Sequence, residues 1–428
     1  MTTSRPQPLV PKLRFPEFRN AGDWHFQPLG DIAELISEKV GTSKCVPMSV
    51  TTGVGLLSQE EKFGRIIAGS SYKNYIRLQT NDFAYNKSAT KEFPQGYIAR
   101  YSGAKDASVP NSIFTCFRPQ STSVVPEYLD YLLHGNHHGR WLRKYITVGA
   151  RAHGALSVAN DALMSLPVPL PPVQVLHSEQ QKIADCLGSL DDLIAAEGQK
   201  LEALRQHKKG LMQQLFPQPG ETMPKLRIPE FLRAGAWKRE QIGNIASITK
   251  GKGISKADIE NDGAIPCIRY AELYTHYGEV IHEVVSSTNV QQEQLVLSQA
   301  EDVIVPASGE TKADIARASC VLSEGVALGS DLSILRSELY GPFFSYLLNS
   351  PLRHRIARVA QGHTVAHLYP KQISQVELAY PSRLEQQKIA DCLISLDDLI
   401  AATGRKIESL RHHKQGLMQQ LFPYLGTE

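Results

Sequence analysis

The side chains best suited to binding lie in short loops that carry lysine, asparagine and serine beside aromatic residues. The stretch YNKSATKEF (residues 85–93) is the clearest case, because amide, hydroxyl and ammonium groups can contact the base edges and phosphates of nucleic acid. A single residue of this kind is more often a phosphate contact or plain surface than a reader of bases. The candidate nucleic-acid contacts in the first half of the chain are Tyr72, Lys73, Arg77, Asn86, Lys87, Ser88 and Lys91.

Comparable loops occur in the second half, at KGKGISK (residues 250–256) and SGETKADIAR (residues 308–317). Their candidate contacts are Lys250, Lys252, Lys256, Ser308, Thr311, Lys312 and Arg317. Two glycine-bearing stretches, GARAHGAL (residues 149–156) and GHTVAHL (residues 362–368), hold equivalent places in the two halves.

The sequence lacks the common catalytic and nucleotide-binding motifs. It contains no GxGxxG, no GxxxxGK[ST] and no Asn-Pro-Pro-aromatic run of the kind that an amino methyltransferase needs. His134, His137 and His138 could supply metal ligands, but no paired carboxylate or cysteine signature accompanies them, so we expect solvated loop or helix-end residues. The six cysteines are too far apart for a CxxC site and are expected to be reduced thiols. The sequence therefore predicts no catalytic residue, metal ligand or cofactor in this chain.

Length and composition are those of a globular protein with more than one domain. The chain has 428 residues, of which 42% are hydrophobic and 21% charged, which excludes disorder as its main state. The net charge is +3, yet residues 1–176 alone carry +6, and a phosphate backbone requires such a local basic surface. No stretch approaches the roughly 20 apolar residues that cross a bilayer, so we expect a cytoplasmic protein.

An internal repeat organises the chain. The 39 residues 179–217 return as residues 385–423 with 32 identities. A shorter repeat, PKLRFPEF (residues 11–18) and PKLRIPEF (residues 224–231), opens each half, and between these anchors the halves resemble each other only faintly. The sequence therefore predicts a variable domain over residues 1–176, a repeated long helix over 177–217, a second variable domain over 218–381 and a second repeated helix over 382–428.

Both variable domains are predicted to have a mixed α/β fold, because short β-rich runs alternate with loops and helical patterns. The strand-like runs are residues 75–78, 97–101, 113–117, 264–269, 303–305 and 332–335, and the helical patterns are residues 126–133 and 342–348.

Each repeated segment is predicted to form one helix of a coiled coil, because apolar residues recur at alternating spacings of four and three. In the first copy the seam positions are Ile183, Leu187, Leu190, Ile194, Glu197, Leu201, Leu204, Lys208, Leu211 and Leu215. In the second copy they are Ile389, Leu393, Leu396, Ile400, Thr403, Ile407, Leu410, Lys414, Leu417 and Leu421. Ser178 and Ser382, each followed three residues later by Gln or Glu, predict capping-box starts.

The two helices are expected to pair with each other in opposite directions. Each helix follows one variable domain, and an antiparallel pair satisfies both copies with pseudo-twofold symmetry. A helix of about 36 residues is roughly 54 Å long, so we expect a rigid spacer with a variable domain at either end.

The outward positions of the repeat are as similar between the copies as the seam is. Eight of the ten seam positions and 24 of the other 29 are identical, so we hypothesise that the outer face docks two copies of one partner. The partner-binding candidates are Gln180, Lys182, Asp185, Arg205, Gln213, Gln386, Lys388, Asp391, Arg411 and Gln419. The alternative is a recent duplication without selection on this face, although the variable domains have diverged almost completely.

Several stretches carry a resemblance to a known family. PVPLPP (residues 167–172) leads into SEQQKIADCL (residues 178–187), and YPSRLEQQKIADCL (residues 380–393) repeats that entry into a long helix. WxxxxLGDIAEL (residues 24–35) and WKREQIGNIASITKGK (residues 237–252) add to it. With these stretches, the organisation of the whole chain resembles the specificity subunit of type I restriction-modification systems.

The resemblance implies that each variable part is a target recognition domain that reads one half of a bipartite double-stranded DNA site. It also implies that the repeated helices bind two modification (methyltransferase) subunits, which restriction (translocase and nuclease) subunits join. S-adenosylmethionine, ATP and Mg²⁺ would be bound by those partners, and this chain would be a non-catalytic selector of sequence. Half-sites about one DNA turn apart, roughly 34 to 36 Å, would let both major grooves face the protein.

Two other functions remain open on the sequence alone. A stand-alone DNA-binding regulator with two reading heads predicts tight specific binding by the isolated chain, whereas the weak charge of the second variable domain favours dependence on partners. A coiled-coil protein scaffold predicts lobes that bind no nucleic acid. A salt-sensitive DNA affinity argues against the scaffold, since counterion release makes phosphate binding fall steeply with salt.

Overall fold

In the computed structural model the chain forms two compact units, and each unit contains one variable domain and part of both repeated helices. The structure describes residues 9–51, 53–148, 156–218, 220–362 and 366–423. The first unit spans residues 1–196 and 406–428, and the second spans residues 197–405. Most of GARAHGAL and the middle of GHTVAHL lie outside the described residues.

Two four-stranded sheets form the variable domain of the first unit. Its strands are β1 (His25–Pro28), β2 (Ala33–Leu35), β3 (Val46–Thr51), β4 (Gly55–Ser58), β5 (Ile76–Leu78), β6 (Phe83–Asn86), β7 (Tyr97–Arg100), β8 (Ala107–Val109), β9 (Phe114–Pro119), β10 (Thr147–Val148), β11 (Leu156–Ser157) and β12 (Pro167–Leu170). Its helices are α1 (Leu29–Ile32), α2 (Gln59–Phe63), α3 (Pro126–His134), α4 (His137–Leu142), α5 (Asn160–Met164) and the start of α6 (Leu176–Leu215).

The first of these sheets is antiparallel, in the order β2-β9-β6-β7, and the second has the order β4-β3-β8-β5 with β3 and β8 parallel. The remaining strands form two antiparallel pairs, β1 with β12 and β10 with β11. The β1–β12 pair joins the start of the domain to the strand that leads into α6.

The second unit repeats this plan with different details. Its strands are β13 (Lys238–Gln241), β14 (Ala246–Lys250), β15 (Ile265–Ile268), β16 (Val280–Ile281), β17 (Ser286–Thr288), β18 (Asp302–Pro306), β19 (Ser308–Gly309), β20 (Ser319–Val321), β21 (Ala327–Leu328), β22 (Leu332–Ser337), β23 (Ala366–His367) and β24 (Glu377–Tyr380). Its helices are α7 (Ile242–Ile245), α8 (Glu272–Thr275), α9 (Lys312–Ile315), α10 (Gly341–Asn349), α11 (Arg353–Val359), α12 (Pro370–Ser374) and the start of α13 (Arg383–Leu421).

A five-stranded sheet, β14-β22-β18-β20-β16, forms the centre of this second domain, beside a three-stranded sheet, β17-β15-β21. Every residue of the central strand β18 is buried, which explains why residues 303–306, after Asp302, form a continuous apolar run rather than an alternating one. The antiparallel pair β13–β24 matches β1–β12 of the first unit.

The predicted mixed α/β fold is confirmed in both domains. All six predicted strand runs and both predicted helical patterns form at their expected places, the helices being α3 and α10. These two helices pack against the sheets, and eight of the nine residues of α10 are buried. Apolar patterning succeeded here because it reports burial directly.

The repeated helices run in opposite directions in the first unit. Ile183 and Leu187 of α6 share a core with Leu421 of α13. Further along α6, Asp191 pairs with Lys414 at 2.6 Å. The α13 residue number falls as the α6 number rises, so the pair is antiparallel.

The second unit shows the same arrangement from the other ends of the helices. Leu215 of α6 shares a core with Ile389 and Leu393 of α13, and Lys208 pairs with Asp397 at 2.6 Å. The predicted antiparallel pairing is therefore confirmed in each unit. All the predicted seam positions in both helices are buried or half-buried, which confirms the heptad pattern.

The predicted capping-box start at Ser178 is wrong. Helix α6 begins at Leu176, so Ser178 lies within its first turn, where the hydroxyl donates to the Val175 carbonyl at 3.1 Å. In the second copy α13 begins at Arg383, directly after Ser382, as predicted. Both oxygens of the Glu385 carboxylate accept hydrogen bonds from Arg227 at 2.8 Å.

Candidate nucleic-acid interface

The lysine-bearing loop of the first domain leaves the central strand β6 and is held by its backbone. The Lys87 N–H donates to the Ile113 carbonyl at 2.9 Å, and the Lys87 carbonyl accepts the Leu156 N–H at 2.8 Å. The Asn86 side chain accepts the Ser88 N–H at 3.1 Å. Asn86, Lys87 and Ser88 are half-buried, whereas Lys91 further along the loop is exposed.

The loop of the second domain leaves β18 in the same way. The Ala307 N–H donates to the Asp331 backbone carbonyl at 2.8 Å, and the Ala307 carbonyl accepts the Leu368 N–H at 3.0 Å. Ser308 then pairs with His367 of β23. The two predicted loops thus hold equivalent places, because each is hydrogen-bonded to a short strand, β11 between α4 and α5 or β23 between α11 and α12.

Beyond Ser308, the second loop turns into the short helix α9. Thr311 caps this helix by accepting the Asp314 N–H at 3.1 Å, and Lys312 is exposed. Arg317 is half-buried and donates to the Leu273 carbonyl at 2.7 Å. Lys312 therefore faces solvent, while Thr311 and Arg317 also stabilise the loop.

The second predicted cluster of the first domain is mostly structural. The Tyr72 hydroxyl accepts the Cys45 N–H at 2.9 Å, and Arg77 pairs with Glu38 and Asp106 at 2.7 and 2.5 Å. The hydrogen bond to Asp106 is the main cause that raises the pKa of Arg77. Lys73 is exposed.

The KGKGISK loop presents its three lysines to solvent. Lys250, Lys252 and Lys256 are all exposed, and the Lys250 ammonium lies 5.9 Å from the centre of the Tyr369 ring. A Cβ atom on Gly251 would lie 2.1 Å from the Gly329 carbonyl oxygen, so this close backbone approach requires glycine.

Two groups of cations were missed by the sequence reasoning, and they lie at corresponding places in the two domains. In the first they are Arg140, Arg143 and Lys144, at the end of α4, and in the second they are Arg353, Arg355 and Arg358, in α11. Within the described part of the chain, neither Arg143 nor Lys144 pairs with a carboxylate, and the Lys144 ammonium stacks 3.6 Å from the Trp141 ring centre. The sequence could have revealed these groups, because each half contains three cations within five or six residues.

The expectation that the histidines are solvated is wrong for two of the three. His137 and His138 are buried and lie within hydrogen-bonding distance of backbone carbonyls, at 2.7 Å from Pro167 and 3.2 Å from Gly96. Burial lowers the pKa of each to about 4. His134 is more exposed and contacts the Tyr97 hydroxyl at 2.8 Å. No cluster of three potential metal ligands occurs among the residues that the structure describes.

The outer face of the helices is only partly as predicted. Gln180 and Gln386 are buried, so their assignment to an outward face is wrong. Their side-chain oxygens accept the backbone N–H groups of Val125 and Tyr340 at 2.7 and 2.8 Å. The other candidates are exposed, namely Lys182, Asp185, Arg205, Gln213, Lys388, Asp391, Arg411 and Gln419.

The geometry of both domains is suited to binding. Each domain offers exposed lysines on a loop held by backbone hydrogen bonds, next to a strand that follows a cation-bearing helix. A loop held in this way can place cations and amides against phosphates and base edges at a low entropic cost. Among the described residues, no helix combines the length and the apolar character that a membrane span would need.

The chain matches one protein family over most of its length. The family described as type I restriction modification DNA specificity domain matches residues 21–206 and 235–412. Similar proteins include a putative specificity subunit of the type I restriction enzyme MjaX from Methanocaldococcus jannaschii, 25% identical over 93% of this chain and 92% of that protein. The MjaVIII specificity subunit of the same organism is 24% identical over 60% of this chain and 61% of that protein.

Solved structures show the same fold. The S subunit of a type I restriction-modification system from M. genitalium matches with a TM-score of 0.56 and 15% identity, over 98% of this chain and all of that one. A chain solved to explain complex assembly and conformational transition of the type I system also has a TM-score of 0.56 and 15% identity, over 94% and 97% of the two chains. The family match, together with two unlike α/β domains on a duplicated antiparallel helix pair, shows that this chain belongs to the type I restriction-modification specificity subunits.

Proposed function

We propose that each recognition domain reads one half of a bipartite DNA target, and that the paired helices keep the two half-sites at one fixed gap. The chain itself would carry out no chemistry. Two modification subunits would bind it and supply S-adenosylmethionine-dependent methylation, and restriction subunits would add ATP- and Mg²⁺-dependent cleavage. Such an assembly acts on DNA and would be located in the cytoplasm.

The observation that carries this proposal is the repeated attachment of two unlike domains to one kind of helix pair. Arg14 holds Glu179 at 2.7 Å in the first unit, and Arg227 holds Glu385 at 2.8 Å in the second. The same contacts thus support domains whose loops differ in sequence. A protein that reads two different half-sites needs two domains that are attached to the helices in the same way but differ in their loops.

The exposed positions that are identical in both helices support the docking of two equal partners. Lys182 and Asp185 in α6 match Lys388 and Asp391 in α13, and all four are exposed. Charged side chains of this kind set orientation and association rate at a protein interface more than they set affinity. We therefore assign this face to the modification subunits.

The test is methylation mapping with the full chain and its modification partner on genomic DNA. We expect modified sites made of two short, different half-sites with one gap. A single contiguous motif, or two identical half-sites, would contradict the proposal.

Matched loop variants assign the two half-sites. Asn86→Ala with Lys87→Ala should relax only one half-site, and Ser308→Ala with Lys312→Ala should relax only the other. A base contact contributes roughly 1–3 kcal/mol of discrimination, so roughly tenfold changes are expected. Equal relaxation of both half-sites by either variant would count against separate reading.

Lengthening both helices tests the fixed gap directly. One added turn, about 5.4 Å, should change the preferred gap by roughly one or two base pairs. An unchanged gap would show that the helices do not set it.

The salt dependence of DNA binding separates the remaining alternatives. The assembled complex should bind specifically and lose affinity steeply with salt, and the isolated chain should bind more weakly. Tight specific binding by the isolated chain would favour a stand-alone regulator, and no salt-sensitive binding by the complex would favour a scaffold.

A further inference from the structure

Each recognition domain is joined to the helix pair by a second set of contacts that occurs in both units. In the first unit the Tyr131 hydroxyl, on α3, donates to Asp191 of α6 at 2.8 Å. The same carboxylate pairs with Lys414 of α13 at 2.6 Å, and the Lys414 ammonium lies 4.9 Å from the Tyr131 ring centre. Three elements therefore meet at one carboxylate.

The second unit repeats this set with equivalent residues. The Tyr346 hydroxyl, on α10, donates to Asp397 of α13 at 2.6 Å, and Asp397 pairs with Lys208 of α6 at 2.6 Å. Lys208 also pairs with Glu279 at 2.8 Å. Burial favours a lower pKa for Lys208, but the two carboxylates outweigh it and raise the pKa above its ordinary value. Lys208 is therefore protonated, and the two carboxylates that pair with it within the unit balance its positive charge.

A second contact fixes the start of the same domain helix. Gln180 accepts the N–H of Val125, the residue before α3. Gln180 and Asp191 are eleven residues apart on α6, which is about three turns or 16 Å. Two contacts so far apart restrain both the position of α3 along α6 and its rotation.

We propose that the two glutamines, aspartates and tyrosines, with the seam lysines, are positioning residues that orient each recognition domain on the helix pair, and that this orientation restricts the complex to one gap. The clamp consists of Gln180, Asp191, Tyr131 and Lys414 in the first unit, and of Gln386, Asp397, Tyr346 and Lys208 in the second.

The clamp needs little from the domain that it holds. On the domain side both clamps use one backbone N–H and one tyrosine hydroxyl, and the second also uses the Glu279 carboxylate, so the domain can differ elsewhere without losing its attachment. This explains how two domains of largely unrelated sequence fit the same helix segment. It also gives Gln180 and Asp191 a reason to be identical in both copies that involves no external partner.

The inference rests on the proposed bipartite reading, and the experiment uses the full chain assembled with its modification subunits. Once the half-sites are mapped, methylation rates are measured on duplexes whose gap differs by single base pairs. The readout is the ratio of the rate at the preferred gap to the rate at the next gap. Overall activity and melting temperature are recorded beside it, because a merely structural role would lower those without changing the ratio.

Two substitutions at the first clamp separate positioning from helix pairing. Tyr131→Phe removes the bond to the domain and keeps the Asp191–Lys414 pair, so the gap ratio should fall by roughly three- to tenfold, as for one lost hydrogen bond. Asp191→Asn keeps an acceptor for Tyr131 and loses the ion pair, so the ratio should change less while the melting temperature falls. Tyr346→Phe should reproduce the first effect in the other unit.

Tyr75→Phe is the matched control, because among the described residues its hydroxyl bonds to neither repeated helix. It should leave the gap ratio unchanged. Unchanged ratios in both Tyr131→Phe and Tyr346→Phe would overturn the inference.

A wild-type complex with no gap preference would instead refute the bipartite reading. Hydrogen exchange of α3 then tests the clamp by itself. We expect roughly three- to tenfold faster exchange in Tyr131→Phe than in Tyr75→Phe, and equal rates would again overturn the inference.

Discussion

Gln180 shows that residue identity between the two copies of the repeat has more than one cause. Its outward assignment followed from its place off the apolar seam, yet the side chain is buried against the start of α3. Asp191 also bonds within the unit, whereas Lys182 and Asp185 are exposed. The identity of the repeat thus reflects attachment of the domains at some positions, and only the exposed positions are available for the proposed docking of a partner.

The buried histidines make the first unit sensitive to acid. His137 and His138 have a pKa of about 4 when folded and an ordinary value near 6.5 when unfolded, so the unfolded chain binds more protons between those values. Stability should therefore fall as the pH drops from about 6.5 to about 4, by roughly 2 kcal/mol per histidine at pH 5. Urea unfolding at pH 7 and pH 5 measures this loss.

The double variant His137→Gln with His138→Gln is the control for that measurement. It removes the two titrating groups and should show a smaller loss of stability between pH 7 and pH 5. An equal loss in wild type and variant would assign the acid sensitivity to other groups.

At the scale of elements, the PKLR segments explain how a domain begins. Arg14 and Arg227 each bind a glutamate in the first turns of a repeated helix, Glu179 or Glu385, and all four side chains are at most 5% exposed. Two parallel N–H to oxygen bonds join each arginine to its glutamate. Such a bidentate contact fixes the entering segment against the helix, which a lysine would not reproduce.

Arg227→Met tests the energetic weight of this contact. The substitution leaves the buried Glu385 carboxylate without its cation and should lower the free energy of unfolding by about 3–5 kcal/mol. Chemical denaturation measures the loss. The double variant Arg227→Met with Glu385→Leu should recover much of the stability, and a double variant as unstable as the single one would show that the arginine contributes mainly by packing.

At the scale of the whole molecule, the two variable domains have similar folds but different net charges. The first variable domain has a net charge of +6, whereas residues 224–381 carry −1. The cations of α4 and α11 lie at corresponding places despite this difference. The DNA binding that we propose for the second domain would therefore depend on local groups of cations rather than on its overall charge.

Arg143→Ala and Lys144→Ala test whether the group on α4 contacts DNA. If each cation neutralises one phosphate, the slope of log affinity against log salt becomes shallower by about 0.9 per substitution, and the methylated motif stays the same. Titration of the assembled complex at several salt concentrations measures the slope. Lys105→Ala, an exposed site in the same domain, has the same charge change and should leave the slope nearly unaltered.

The exposure of several candidate cations was predictable from residue types, but the contacts of the other candidate residues were not. Lys91, Lys250 and Lys312 are exposed as expected, although Lys250 ends strand β14 and Lys312 begins helix α9. Tyr72 and Arg77 have the same kinds of group, yet they bond to Cys45 and Asp106 inside the domain. No local pattern distinguishes these cases, because the partners come from other parts of the chain.

By itself the sequence determined the duplication, the two long helices and six of the strands of the recognition domains, because heptad and apolar patterns record burial along a single element. Only the tertiary structure decided that Gln180 holds a domain helix, that Asp191 joins Tyr131 to Lys414, and that His137 and His138 are neutral and buried. The physical reason is that a polar side chain takes its role from the groups that surround it after folding, and those groups lie far away in the chain.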